Sequence, residues 1–376
     1  MKYQLEETIK MLEDMDRDSI RGFTGFDGFV DEVVHVVDHR FDREHYSRIK
    51  TIHDYSKRIE RAAGLSTNIE VVSIRKKLGG NGPIFANALQ KQGIKNTYAG
   101  TLGYPVIEDV FQEFSKENEV ISVGNPGYTD AVEFMDGKII RSKLDSLNQI
   151  DWETVKTRAG LKKLKESICQ SDFIAFLNWS LMMNMNGIWR GILEEILAEV
   201  PQKSNTCNKK MFIDLADPEK RSEKDIKEAL ACIGEFNTYF EVILGLNKKE
   251  ACELAEIYGK KIEDYQKADI RELCQYLKRY IPADIVVIHS VKEACAKGKT
   301  DMCYQVNGPY CQEPRLTTGA GDHFNAGFML AQLAGASIEQ SLYTAVYLSG
   351  YYVRNAGSPD RKELIEFIKT YCSKNE

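Results

Sequence analysis

The chain has no uninterrupted apolar run long enough to cross a membrane. Its opening, MKYQLEETIKMLEDMDRDSI, alternates acids, bases and apolar residues where a secretion signal would need a continuous apolar stretch. Closely paired cysteines are missing as well: nine are scattered from Cys169 to Cys372 with no CxxC. That spacing argues against a disulfide framework or a zinc site and suits a reducing compartment, so a cytoplasmic protein is expected. Nor is there an excess of positive charge. With 50 Lys and Arg against 56 Asp and Glu, the net charge is −6, so neither nucleic acid nor a membrane surface is an expected partner. The aromatic residues do not fall beside basic clusters, which removes support for a single-strand stacking surface. No Ser-His-Asp grouping, repeat or low-complexity tract stands out.

What is present is a globular composition, 43% hydrophobic over 376 residues, enough to bury a sizeable core. Short apolar runs at 173–177, 211–215, 240–244 and 285–288 read as buried strands separated by helical patterns such as KEACELAEIYGKKI. This alternation predicts a parallel sheet covered on both faces, in a core that begins near Arg21 after a helical extension over 1–20. Two stretches break the rhythm. The valine-rich segment 29–37 and the segment AVEFMDGKIIRSKL, with Asp136-Gly137 between two strand-like halves, predict a small projecting sheet that could act as a lid. Lid strands are expected over about 29–40 and 120–145. The polar stretch 201–210 reads as a loop. Asp31, His35 and His39 recur every four residues, as metal ligands on a helix would, but FVDEVVHVVDH favours a strand, so no metal is expected there.

The chemistry concentrates in LTTGAGDHFNAGF, residues 316–328. Gly319, Ala320 and Gly321 have almost no side chain, and the helical pattern after them puts their N–H groups at a helix N-terminus, which makes an anion site. Asp322 is repelled from such a site unless it has work there. It either caps the helix or serves as the base that takes a proton from an attacking hydroxyl.

The run TTGAGDHFNAGFMLAQLAGASIEQSL resembles the C-terminal signature of the PfkB, or ribokinase-like, carbohydrate kinases, and the family's catalytic aspartate falls on Asp322. GFTGFDGFVDEV is similar to the family's first strand and turn, where an aspartate meets substrate hydroxyls; Asp31 is the first choice and Asp27 the second. GGNGPIFANAL, from Gly79, resembles its first signature, in which glycines close over the substrate, so Gly79, Gly80 and Asn81 join the expected substrate site. FIDLADPEKR is loosely similar to a further family element at Asp214 and Arg221. ILGLNKKEACEL resembles the Asn-x-x-Glu element at Asn247 and Glu250, which implies a magnesium ion held through water by Glu250; without the family the pair would be a plain helix start. His289, Thr318 and Gly357 match positions that meet the nucleotide.

The resemblance therefore implies a three-layer α/β/α ribokinase-like fold with a mostly parallel central sheet and a small β-sheet lid. The implied activity is transfer of phosphate from ATP, with Mg2+, to a hydroxyl of a sugar or sugar-like molecule. Asp322 would be the base, with Gly319, Ala320 and Gly321 as the anion hole. A nucleoside kinase and a non-catalytic sugar-binding relative are the alternatives. Pairing of two copies through the lid is expected from the family. The sequence departs from the pattern at Ile84, where an asparagine usually meets the sugar, at Tyr104-Pro105, and at Leu316, where an aspartate often helps to hold a monovalent cation.

Overall fold

The computed structural model describes residues 2–203 and 209–373; part of the loop expected over 201–210, with Cys207, lies outside them. The strands in chain order are β1 (Arg21–Phe26), β2 (Phe29–Arg40), β3 (Tyr46–Arg48), β4 (Val71–Gly79), β5 (Lys95–Gly100), β6 (Glu119–Ser122), β7 (Gly127–Glu133) and β8 (Lys138–Lys143). They continue with β9 (Phe173–Phe176), β10 (Lys210–Asp214), β11 (Glu241–Asn247), β12 (Ile285–His289), β13 (Glu293–Lys297) and β14 (Cys303–Asn307).

Nine strands form the central sheet in the order β14-β13-β12-β11-β10-β9-β1-β5-β6. All neighbours are parallel except β12-β13 and β13-β14. The apolar runs become strands because side chains alternate between faces and both faces are covered. Ile174 and Phe176 enter one core with Met211, Ile213 and Trp189, while Phe173 and Ala175 enter the other with Phe212, Ile243 and Phe328. Helices bury both faces, as the three-layer reading requires. The N-terminal helix Lys2–Asp14 sends Leu5, Ile9 and Leu12 into the second of these cores, beside Leu364 and Ile368 of the last helix, Arg361–Cys372.

The lid is a second sheet of five strands. Its hub is β2, which leaves β1 after only Asp27-Gly28 and pairs with β3 and β4 antiparallel and with β7 parallel. β7 and β8 form the hairpin read from Asp136-Gly137, closed by the Phe134 N–H donating to Gly137 O at 2.9 Å. The lid segment begins at Gly127, whereas 119–122 edges the central sheet as β6. β4 also belongs to the lid: Arg75-Lys76-Lys77 interrupts its apolar pattern, so it did not read as a strand.

Candidate active site

Parallel strands gather their functional residues at their carboxyl ends, and here five such ends carry polar side chains. Asp27 follows β1, Asn178 follows β9, Asp214 ends β10, Asn247 ends β11 and His289 ends β12. Asp27 is fully buried. It accepts hydrogen bonds from the Gly82 N–H (3.0 Å) and from Asn178 Nδ2 (2.7 Å), while Tyr98 donates its hydroxyl to the Asp27 carbonyl (2.6 Å). Burial pushes its pKa up to about 6 against the pull of these donors, among them the backbone of Asn81. Asp214 accepts from the Ala216 N–H (2.8 Å) and from Asn325 Nδ2 (2.6 Å), and burial pushes it to about 6 as well, with Asp27 adding repulsion.

The glycines of GGNG are needed for contact. A Cβ on Gly79 would lie 2.4 Å from Asp31 Cγ, one on Gly80 would lie 2.7 Å from Asp27 Oδ2, and one on Gly82 would lie 2.5 Å from Asp27 Oδ1. Gly80 also takes φ +95°, a conformation L-residues seldom adopt. This turn presses the base of the lid onto both aspartates, so Asp31 and Asp27 enter one site. They differ in role: Asp27 is held by the protein, whereas Asp31, on β2, has Lys77 Nζ at 3.9 Å. Burial raises the pKa of Asp31, while Lys77 and Lys138 hold it back.

The helix Ala320–Leu333 begins at Gly319, its N-cap with φ +95°, and no side chain caps it. Asp322 lies in the first turn, so the capping alternative is excluded. Its carboxylate is buried, and Oδ1 has no hydrogen-bond partner. Burial first, then the charges of Asp214, Asp27 and Asp31, drive its pKa well above the ordinary value; Lys77 opposes them. Four carboxylates from three regions of the chain thus act on one another. In the cradle itself the Ala320 N–H donates to Thr317 O (3.1 Å), so that amide is engaged. Helix geometry leaves the Gly321 and Asp322 N–H groups without intrahelical acceptors. Lys138, from β8, donates to Thr318 Oγ1 (3.2 Å) and joins the lid to the cradle. Ile84 lies 3.4 Å from where a Gly319 Cβ would be, so it packs on the cradle.

Beside the cradle opens a cavity of about 250 Å³, lined by His289, Pro309, Phe324, Val346 and Val353 together with Ala320 and Gly321. Its apolar walls suit a flat base. His289 lies against Phe324, with ring centres 4.7 Å apart and the rings tilted by 36°, and burial lowers its pKa to about 4, so its imidazole is neutral. Gly357 does not line this cavity. It borders another, beneath the lid, with Lys77, Asn87 and Tyr352, because the helix ending at Asn355 delivers it to the far side of the cradle. Asn247 and Glu250 form a reciprocal cap on the helix Lys248–Ile257. Glu250 accepts from the Asn247 N–H (2.8 Å) and the Asp217 N–H (3.0 Å). The plain helix start is therefore realised. Even so, burial and then Asp214 push Glu250 to about 8, so these crowded carboxyl oxygens suit a hard cation whose charge would let both ionise.

Sequence reasoning missed Asn178, Tyr98, Asn325, Lys77 and Lys138. Asn178 was legible in principle as the polar residue closing the run FIAFLN, at the carboxyl end of a predicted strand. The lysines were not, since only the folding of the lid brings β4 and β8 over the cradle. Arg221, matched loosely to a family element, is structural: it stacks on Trp179 and donates to the Trp179, Met182 and Met183 carbonyls.

Comparison with known proteins agrees with this geometry. The family model for prokaryotic ketohexokinase matches residues 9–371. A ketohexokinase of Haloferax volcanii is 28% identical over 357 residues, covering 94% of this chain and 92% of that protein. Among solved structures, a probable sugar kinase from Rhizobium etli superposes with TM-score 0.63 at 16% identity, covering 95% of this chain and 99% of that one. A ribokinase from Thermotoga maritima gives 0.59 at 16% identity, covering 93% and 99%. The fold is ribokinase-like, and the chain belongs to the prokaryotic ketohexokinase family of carbohydrate kinases.

Proposed function

We infer that the protein transfers the γ-phosphoryl group of ATP to a hydroxyl of a ketohexose, with Asp322 as the general base. The observation that carries this reading is the buried Asp322 carboxylate, which has an oxygen without a partner and stands in the first turn of a helix headed by Gly319. A buried acceptor left open costs stability and persists where a ligand will satisfy it. The sugar would lie between lid and floor, where Asp31 orients its hydroxyls. Asp322 takes the proton as the oxygen attacks phosphorus, its raised pKa making it a stronger base. The Gly319 and Gly321 amides stabilise charge on the transferring oxygens, and Lys77 and Lys138 offset that charge from the lid. Asp214 and Glu250 would hold Mg2+ through water, and that ion shields phosphate charge when bound. His289 and the cavity beside it would receive the base of the nucleotide.

The relative from Haloferax volcanii, matched along most of both chains, supports a ketohexose over a nucleoside. ADP release measured over ketohexoses, aldohexoses and nucleosides tests this. A ketohexose should give the highest kcat/KM, and preference for a nucleoside would overturn the substrate assignment. The lid exposes Val71, Ile74 and Ile140, which supports pairing of two copies through it. Light scattering should report a dimer, and a monomer at micromolar concentration would count against that pairing.

A further inference from the structure

Away from the active site, the helix Ile270–Leu277 packs on the face of β13 and β14 opposite the helix Ile338–Asn355, and three thiols meet there. The sulfur atoms of Cys274, Cys295 and Cys303 all lie within 4.8 Å of one another. They come from three separate elements, so sequence spacing gave no sign of them. Cys274 and Cys295 are fully buried, and Cys303 is 4% exposed. Among the described residues the group contains no histidine and no carboxylate. The geometry points to a three-thiolate site for a soft, thiophilic monovalent cation, copper(I), that staples the antiparallel edge of the sheet to its covering helix.

Two arguments support the assignment. First, the triangle is close to the right size. A metal about 2.3 Å from each of three coplanar sulfurs needs them about 4 Å apart, so side-chain adjustments of less than about 1 Å would close the site. Second, the donor set selects the ion. Zinc takes four ligands in structural sites, and a fourth is lacking among the described residues, whereas soft thiolates suit copper(I). A disulfide between Cys295 and Cys303 fits less well. Cys295 pairs with Gln305 and Cys303 with Lys297, so the two cysteines are diagonal neighbours about 7–8 Å apart at Cα, beyond the usual disulfide span.

In the metal-free protein the Cys295 thiol donates to Ile270 O (3.1 Å) and the Cys274 thiol to Val286 O (3.4 Å). Binding copper(I) forms three Cu–S bonds and expels the thiol protons to solvent, with no change of oxidation state, so affinity should rise with pH. The test is titration of the reduced full-length protein with copper(I) against a chromophoric copper(I) chelator, followed by X-ray absorption. One equivalent should bind with three sulfur neighbours. Cys303→Ala should lose it at least about tenfold in affinity, and Cys252→Ala, a buried cysteine elsewhere, should not. No uptake by the wild type, fewer than three sulfur neighbours, or uptake surviving Cys303→Ala would overturn the proposal. The absorption measurement on the wild type decides the matter even if the variant fails to fold. None of these readouts depends on kinase activity.

Discussion

The substitution Asp214→Asn should stabilise the ligand-free protein while impairing catalysis. Asp214 has its folded pKa raised from 3.8 to about 6. A carboxyl shifted in that direction stabilises the fold only while protonated. Its contribution is intact below the unfolded pKa and is lost as pH rises through about 6. At about pH 7 the wild type therefore carries a penalty of roughly 3 kcal/mol from this group, and about half of that near pH 5. An asparagine would remove the penalty without stranding its partners. Its oxygen can still accept from the Ala216 N–H, and Asn325, whose Oδ1 has no partner, can turn that oxygen toward the new amide. Urea denaturation of both proteins across this range measures the difference, and comparing variant with wild type cancels titrating groups distant from Asp214, while Glu250 and Asp322, which Asp214 repels, add to the gain of the variant at neutral pH. The expected result is a more stable variant at neutral pH whose advantage shrinks on acidification. A variant less stable than wild type at pH 7, or a difference indifferent to pH, would refute the reasoning.

Two further substitutions probe the lid. Gly80→Ala places a methyl 2.7 Å from Asp27 Oδ2 on a backbone with φ +95°. It should cost about 1–3 kcal/mol in thermal denaturation and raise KM for the sugar more than KM for ATP. Lys138→Met removes the ammonium group that reaches Thr318. It should lower kcat by roughly tenfold to a hundredfold, as loss of a charge-stabilising group does, with the fold retained because its ion pair with Glu133 is partly exposed. An unchanged kcat would remove Lys138 from the mechanism.

Much of the fold was legible because its strands are of the kind periodicity detects. The runs at 173–177 and 285–288 are apolar on both faces since the sheet is covered on both, and Asp136-Gly137 marks its hairpin. β4 escaped because a lid strand, open to solvent, carries Arg75, Lys76 and Lys77 in succession and has no apolar face to read. In the site, Asp322 and the glycines stood out because backbone approach to an anion demands small residues in a contiguous run. Gly357, matched to a nucleotide position, borders a different cavity from the one His289 lines, because a motif shows which residues adjoin, not the side of the helix on which the chain emerges. Lys77, Lys138 and Asn178 depend on contacts between distant segments, as do the three thiols of Cys274, Cys295 and Cys303.

The most direct test of the account is turnover by Asp322→Asn, set beside its sugar binding by calorimetry and its melting temperature. A carboxylate acting as the base should, when made an amide, lower kcat at least about a hundredfold, with sugar affinity and folding retained. A variant that binds sugar, melts like the wild type and turns over within about tenfold of it would contradict the assignment.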